Sequence, residues 1–309
     1  MPAVSLAAKS PELFPLEPFP IQHQLAGHPL MTLEALAALA AKLPGDRVEF
    51  NGGKLKPDQR PENVPTLNSP PADIVRQIET SDAWLVLKNV EAAPEYRSLV
   101  ESFLDETARS LGYRSPAMAG MKDFQGFIFV ASANAVTPFH VDYEENFFVH
   151  IAGDKFMHVF DNRDRSLVPE TELEVYPGKH RNLPYREDFE NRATVFTMQP
   201  GDGLFLPYTW PHWVRTGDSP AISIAITWKS RQDIRQNGLY FVNAVMRKLG
   251  LPQPEPGQYR WYDSVKIAAF STARMATAPF RRSEIMRRNL RRLLFGRKAN
   301  YYYRKTSES

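Results

Sequence analysis

The chain has 309 residues, of which 43% are hydrophobic and 24% charged, an ordinary balance for a folded protein that excludes a disordered or collagenous one. It contains no cysteine, so disulfides and thiolate metal sites are excluded, and any metal must be held by histidine and carboxylate. The net charge of +3 hides an asymmetry: residues 281–309 carry ten Lys/Arg against two Glu, and the body before them is net acidic.

Residues 1–31 are proline-rich, with Pro11, Pro15, Pro18 and Pro20, and read as an extended arm or edge segment rather than a signal peptide. No stretch approaches the roughly 20 apolar residues of a spanning helix. A cytoplasmic protein is the expectation. Thr32 is placed to cap a helix over 33–43, which Pro44-Gly45 ends. A short strand is expected near 47–50. Residues 52–71 form a long loop with five prolines, either functional or a covering flap. A helix over 71–79, a buried strand at 84–87 and an amphipathic helix over 95–111 follow. The last carries Leu99, Phe103, Leu104 and Leu111 inward and closes at Gly112.

From Gln125 the apolar period becomes two. Strands are expected at 127–130, 147–151, 155–160, 194–198, 203–206, 213–216 and 221–228. Short strands separated by Gly/Pro turns suggest an antiparallel jelly roll of the cupin type. Residues 162–192 read as a charged surface insertion. After Trp228 the pattern turns helical: 232–249, about 259–277, and 282–295. The fold class is therefore mainly β with flanking helices (α+β), a double-stranded β-helix core with a helical C-terminal region. Three regions are expected: 1–115 packing on the barrel, 116–229 the catalytic core, and 230–309 the C-terminal helices with the basic tail.

The chemistry centres on Thr137-Pro138-Phe139-His140-Val141-Asp142. On a strand, residues i and i+2 face the same way, so His140 and Asp142 converge on one point. His212, in the Gly201-Asp202-Gly203…Pro207…Trp210-Pro211-His212 run, offers a third ligand. Two histidines and one carboxylate, with three positions open, form the facial triad of non-haem Fe(II) oxygenases. A His-x-Asp pair taken alone reads better as a surface pair or salt bridge.

The wider run decides between them. Thr137, Pro138, His140, Asp142, Asn146, Phe147, Phe148, Gly153 and Lys155, followed by Pro200, Gly201, Asp202, Pro207, Trp210 and His212, resemble the JmjC family of 2-oxoglutarate-dependent oxygenases. The motif is most similar to its asparaginyl-hydroxylase branch, the type that inhibits hypoxia-inducible factor. The similarity covers about residues 127–228. It implies a double-stranded β-helix, Fe(2+) held by His140, Asp142 and His212, and 2-oxoglutarate as co-substrate. It implies consumption of O2, release of succinate and CO2, and hydroxylation of a substrate C–H. Lys155 would pair with the co-substrate's far carboxylate, since a buried lysine is costly without a partner; the bland alternative is a solvent-facing lysine at a strand start. Thr137 would add a hydroxyl to that carboxylate, and Asn146 would lie near the chelating end.

Other residues are less committed. His150 shares parity with Asn146 and Phe148 and borders the pocket or simply packs. Tyr143, Glu144 and Glu145 fall where a solvated or substrate-touching rim would be. Trp210, Trp213 and Trp228 read as barrel core. The family's second asparagine has no counterpart in 221–228, where Ser223 or Thr227 stands available. An aromatic hydroxyl is missing at Phe127 and Phe129. The substrate is expected to be a protein or peptide side chain. The alternatives are a small molecule, a modified nucleoside, or a metal-binding cupin without oxygenase activity. The apolar stripes after Trp228 read as packing onto the barrel, and the resemblance to the asparaginyl-hydroxylase branch suggests a homodimer through them. The basic tail leaves nucleic acid or membrane contact open.

Overall fold

A computed structural model describes residues 4–60, 63–65, 67–174 and 182–278, and a few positions between 283 and 293. The expected helix over 282–295 and most of the basic tail lie outside the described residues.

Every strand expected from Gln125 onward forms. These are β5 (Gln125–Ala131), β7 (Glu145–Ala152), β8 (Lys155–Val159), β9 (Thr194–Met198), β10 (Asp202–Leu206), β11 (His212–Thr216) and β12 (Ala221–Trp228). The alternation did not reveal β6 (Val136–His140), because Pro138 interrupts it. The proline-rich start contributes β1 (Val4–Leu6), a short helix α1 (Ser10–Leu13) and β2 (Phe19–His23). With β3 (Val48–Gly52) and β4 (Ala83–Lys88), the strands build two antiparallel sheets. The larger runs β1-β2-β10-β7-β12-β5-β4-β3 and the smaller β6-β11-β8-β9. From β5 to β8 consecutive strands switch sheets, and so do β9 to β12. That switching makes a jelly roll.

Parity sorts the side chains. Phe147, Val149 and Ile151 of β7 join a core outside the larger sheet. Phe148 faces the other way, into a cluster with Met157, Val159, Leu204, Leu206, Val214 and Ala225. The outer core is capped by α2 (Leu33–Lys42), α3 (Pro71–Arg76) and α4 (Pro94–Ser110). Thr32 Oγ1 accepts from Ala35 N at the start of α2, as expected. Pro94 opens α4, and Val100, Phe103, Leu104 and Thr107 lie buried along one face. Trp228 packs with Phe147 and Phe205 in this outer core rather than inside the barrel.

The long loop after β3 behaves as a cover. Val136 N donates to Gly53 O and Phe139 N to Pro57 O, so residues 53–57 lie along the outer edge of β6.

By internal contacts the chain divides into two units: residues 1–162 with 182–230, and residues 163–181 with 231–309. The second contains α5 (Glu170–Leu173), α6 (Arg231–Lys248) and α7 (Arg260–Ala276). Its segment around Glu174 is tied to α6: the buried Glu174 carboxylate accepts from Asn243 Nδ2 at 2.9 Å and Arg247 Nε at 2.6 Å. The insertion is therefore no simple surface loop; Leu167, Val168, Leu173, Leu183 and Phe189 are buried. Among the described residues, no helix is long and apolar enough to cross a membrane.

Candidate metal centre

His140 ends β6 and His212 begins β11, and the two residues are register partners across the smaller sheet. The register between β6 and β11 slips by one residue between His212 and Val214. Without that slip His212 would face Phe139. A bulge here re-aims a ligand, and Pro138, which has no N–H for the ladder, lies within it. Asp142 corrects the simple strand argument: β6 stops at His140, and the carboxylate comes from the turn beyond it. Convergence survives. One donor atom from each of His140, Asp142 and His212 can be chosen so that all lie within 4.8 Å of one another. Asp142 Oδ2 is 4.0 Å from His140 Nε2 and 3.8 Å from His212 Nε2.

Both imidazoles are held the same way. His140 Nδ1 donates to Pro138 O at 2.7 Å, and His212 Nδ1 to Trp210 O at 2.9 Å. This sets the tautomer that leaves both Nε2 lone pairs toward the Asp142 carboxylate, the arrangement a metal-binding histidine requires. The Asp142 backbone is anchored by Thr209 N, which donates to Asp142 O at 2.8 Å. Thr209 adopts a left-handed φ of 59°, unusual for a β-branched residue. Asn162 Nδ2 donates to its hydroxyl at 3.2 Å. Nothing in the sequence pattern singles out Thr209.

The barrel interior holds the remaining candidates. Thr137 is half-buried opposite Val214, on the inner face. Asn146 is buried, with Thr227 as its register partner on β12. Asn146 Oδ1 and Thr227 Oγ1 are both enclosed and have no hydrogen-bond partner. Buried polar atoms left so are rare and costly. Lys155 is buried at 4% exposure, which excludes the solvent-facing alternative. Its ammonium donates to Ser223 Oγ at 2.7 Å and lies 5.0 Å from the Phe148 ring centroid. No carboxylate forms an ion pair with it among the described residues, and burial pushes its pKa down to about 7. His150, fully buried, meets Ser223 Oγ at 2.9 Å and Gly153 O at 2.8 Å. Burial first, and the Lys155 charge second, push its pKa down to about 3, so it is neutral.

The donor set fits a divalent metal, and the unsatisfied Thr227 hydroxyl can donate to an oxygen-rich ligand beside it. Ser223 and Thr227 were legible as the two polar side chains, four apart, on an otherwise apolar β12. Other expectations fall away. Tyr143, Glu144 and Glu145 are buried rather than a solvated rim, and Glu144 lies 3.7 Å from the Lys229 ammonium. Trp213 stacks on His158, whose Nδ1 bonds Glu190.

Residues 40–234 match the family described as "Cupin-like domain". Among curated proteins the chain is similar to HSPB1-associated protein 1 of Bos taurus, 24% identical over 234 residues. That alignment covers 67% of this chain and 45% of the relative. It is also similar to the Danio rerio homolog, 27% identical over 149 residues, 44% of this chain and 33% of the relative. The chain thus spans less than half the length of these relatives. Among solved structures, ycfD of E. coli aligns over 88% of this chain and 68% of its own, at 13% identity and a TM-score of 0.48. The structure titled YcfD, a ribosomal oxygenase from Escherichia coli, in complex with cobalt and 2-oxoglutarate aligns over 87% and 67%, at 13% identity and TM-score 0.46. The cupin-like match covers more than half of the chain and spans β3 to β12, His140, Asp142 and His212 included, so the chain belongs to the cupin-like family.

Proposed function

We propose that the chain is an Fe(II)- and 2-oxoglutarate-dependent dioxygenase that hydroxylates a C–H of a protein or peptide side chain. The observation that carries this reading is the pairing of two features in one barrel. A His-Asp-His cluster stands at one end of β6 and β11, and a buried lysine without a carboxylate partner opens β8. A metal-binding cupin without a dicarboxylate co-substrate has no evident use for that lysine.

In this reading His140, Asp142 and His212 hold the metal and leave positions for the 2-oxo acid and O2. The bound iron and 2-oxo acid supply the oxidising power. Lys155 receives the far carboxylate, with Thr137 adding a hydroxyl. Thr227 donates its hydroxyl and Asn146 its amide N–H at the chelating end. The apolar lining from Phe148, Met157, Leu204 and Leu206 keeps water from the interior. The side-chain substrate follows from the motif's resemblance to the asparaginyl-hydroxylase branch; the same chemistry on a small molecule or modified nucleoside is the alternative. We read the apolar faces of α6 and α7 as a homodimer surface.

Anaerobic protein with Fe(II) and 2-oxoglutarate should develop a visible charge-transfer band, lost in His140→Ala, Asp142→Ala and His212→Ala. Full iron affinity in all three variants would sink the triad. Succinate release, screened against peptides, metabolites and nucleosides, identifies the substrate class.

A further inference from the structure

Lys155 does not stand alone. Its Nζ donates to Ser223 Oγ, and Ser223 in turn meets His150 Nδ1. The direction of this chain can be worked out atom by atom. His150 Nε2 lies 2.8 Å from Gly153 O, a carbonyl that only accepts, so Nε2 carries the ring proton. A neutral His150 then has a bare Nδ1, which must accept. Ser223 therefore gives its one hydroxyl proton to His150 and turns its lone pairs to Lys155. Were His150 absent, the Ser223 proton would be free to swing toward the ammonium and oppose it.

The register supports the same arrangement. Ser223 of β12 is the register partner of His150 of β7, and the same unbroken pairing runs on to Trp228 opposite Glu145. The pairing slips only past this pair, where Ile222 meets Ala152. All three residues are at least 96% buried, so no water competes along the chain.

We propose that Ser223 and His150 are positioning residues that orient the Lys155 ammonium, so that its remaining N–H bonds are presented to the distal carboxylate of a five-carbon dicarboxylate. The inference rests on the reading of Lys155 as the co-substrate's cation. His150 acts three hydrogen bonds away from the ligand, through Ser223 and Lys155.

The test uses the full chain loaded anaerobically with Fe(II) and measures equilibrium binding of two ligands by calorimetry. 2-Oxoglutarate carries the distal carboxylate; 2-oxobutyrate has the same 2-oxo acid head and lacks it. Wild type should prefer 2-oxoglutarate. Ser223→Ala and His150→Leu should each lose about tenfold of that preference, with iron and 2-oxobutyrate affinities unchanged. His150→Asn, which places an acceptor oxygen near the Nδ1 position, should restore most of it. A purely packing role for His150 would weaken both ligands alike and would not be rescued by asparagine. Thermal melts of each variant establish folding; should His150→Leu not fold, Ser223→Ala and His150→Asn carry the comparison. If the folded variants keep the wild-type preference, the positioning role is wrong while the co-substrate reading stands. If wild type itself shows no preference for the dicarboxylate, both fall.

Discussion

Burial makes Lys155 the residue on which the proposed co-substrate site is most directly tested. Replacing it with alanine should raise the apparent 2-oxoglutarate constant at least tenfold, about 1.4 kcal/mol, the worth of a charge-assisted bond. Iron binding should be unaffected; unchanged 2-oxoglutarate affinity would place the cation elsewhere. The pH dependence has a defined sign. The ammonium form receives the carboxylate, and burial holds its pKa at about 7 in place of 10.5. Affinity should therefore be full below pH 7 and decline as pH rises through 7 toward 9, by up to ~tenfold per unit. A lysine titrating at its ordinary value would leave affinity flat over that range. His150 also gives stability a pH dependence. Its pKa falls from 6.5 unfolded to about 3 folded. Between those values the unfolded chain binds the extra proton, so stability drops as pH falls from 6.5 toward 3. Melting temperatures should show a shallower acid loss in His150→Asn than in wild type.

At the level of elements, the site depends on turns and a slip as well as on regular strand. Gly153, between β7 and β8, has φ 75°, and a Cβ there would lie 2.3 Å from Pro220 O. The same residue's carbonyl receives His150 Nε2, and Lys155 follows two positions later. Gly153→Ala combines a left-handed backbone with a clash against main chain. It should cost about 2–4 kcal/mol in denaturant unfolding and disturb 2-oxoglutarate binding with it. The β6–β11 slip sets His140 opposite His212, two side chains an unbroken ladder would keep apart; Ser223 meets His150 within the regular β7–β12 pairing. The Thr209 turn adds a third device, holding the carbonyl of the ligand Asp142 from a strained position.

Across the whole molecule, the unit containing α6 and α7 carries unusual exposed apolar surface. Trp261, Val265, Met275 and Ile234 are 71%, 57%, 69% and 50% exposed. A groove between the two helices is lined by Ile234, Ile267 and Phe270 and rimmed by Arg231, Arg235 and Arg274. Surface of this kind favours a protein partner, and a second copy of the chain is the reading proposed above. Light scattering at tens of micromolar should give a dimer mass. Trp261→Glu combined with Met275→Glu should give a monomer that still binds iron. A monomeric wild type at that concentration ends the dimer reading.

The sequence alone determined the strand series from β5 to β12 (β6 excepted), the jelly-roll class and the three side chains that cluster as candidate metal ligands. Two-residue periodicity is a local property, and the histidines and aspartate stand in a distinctive run. Lys155 was legible for the same reason. Tertiary structure decided what depends on pairing between distant strands. The position of Asp142 beyond β6, the neighbours of Ser223 and the partnerless oxygens of Asn146 and Thr227 all follow from register. A one-residue slip leaves no mark on hydrophobic alternation, yet it reverses which face a side chain occupies. Burial of Tyr143, Glu144 and Glu145 was likewise invisible, because polar residues after a strand read as a rim until the rest of the barrel covers them. The membership of residues 163–181 in a unit with α6 and α7 arises from contacts such as Glu174 with Arg247, made across a separation that no local pattern records.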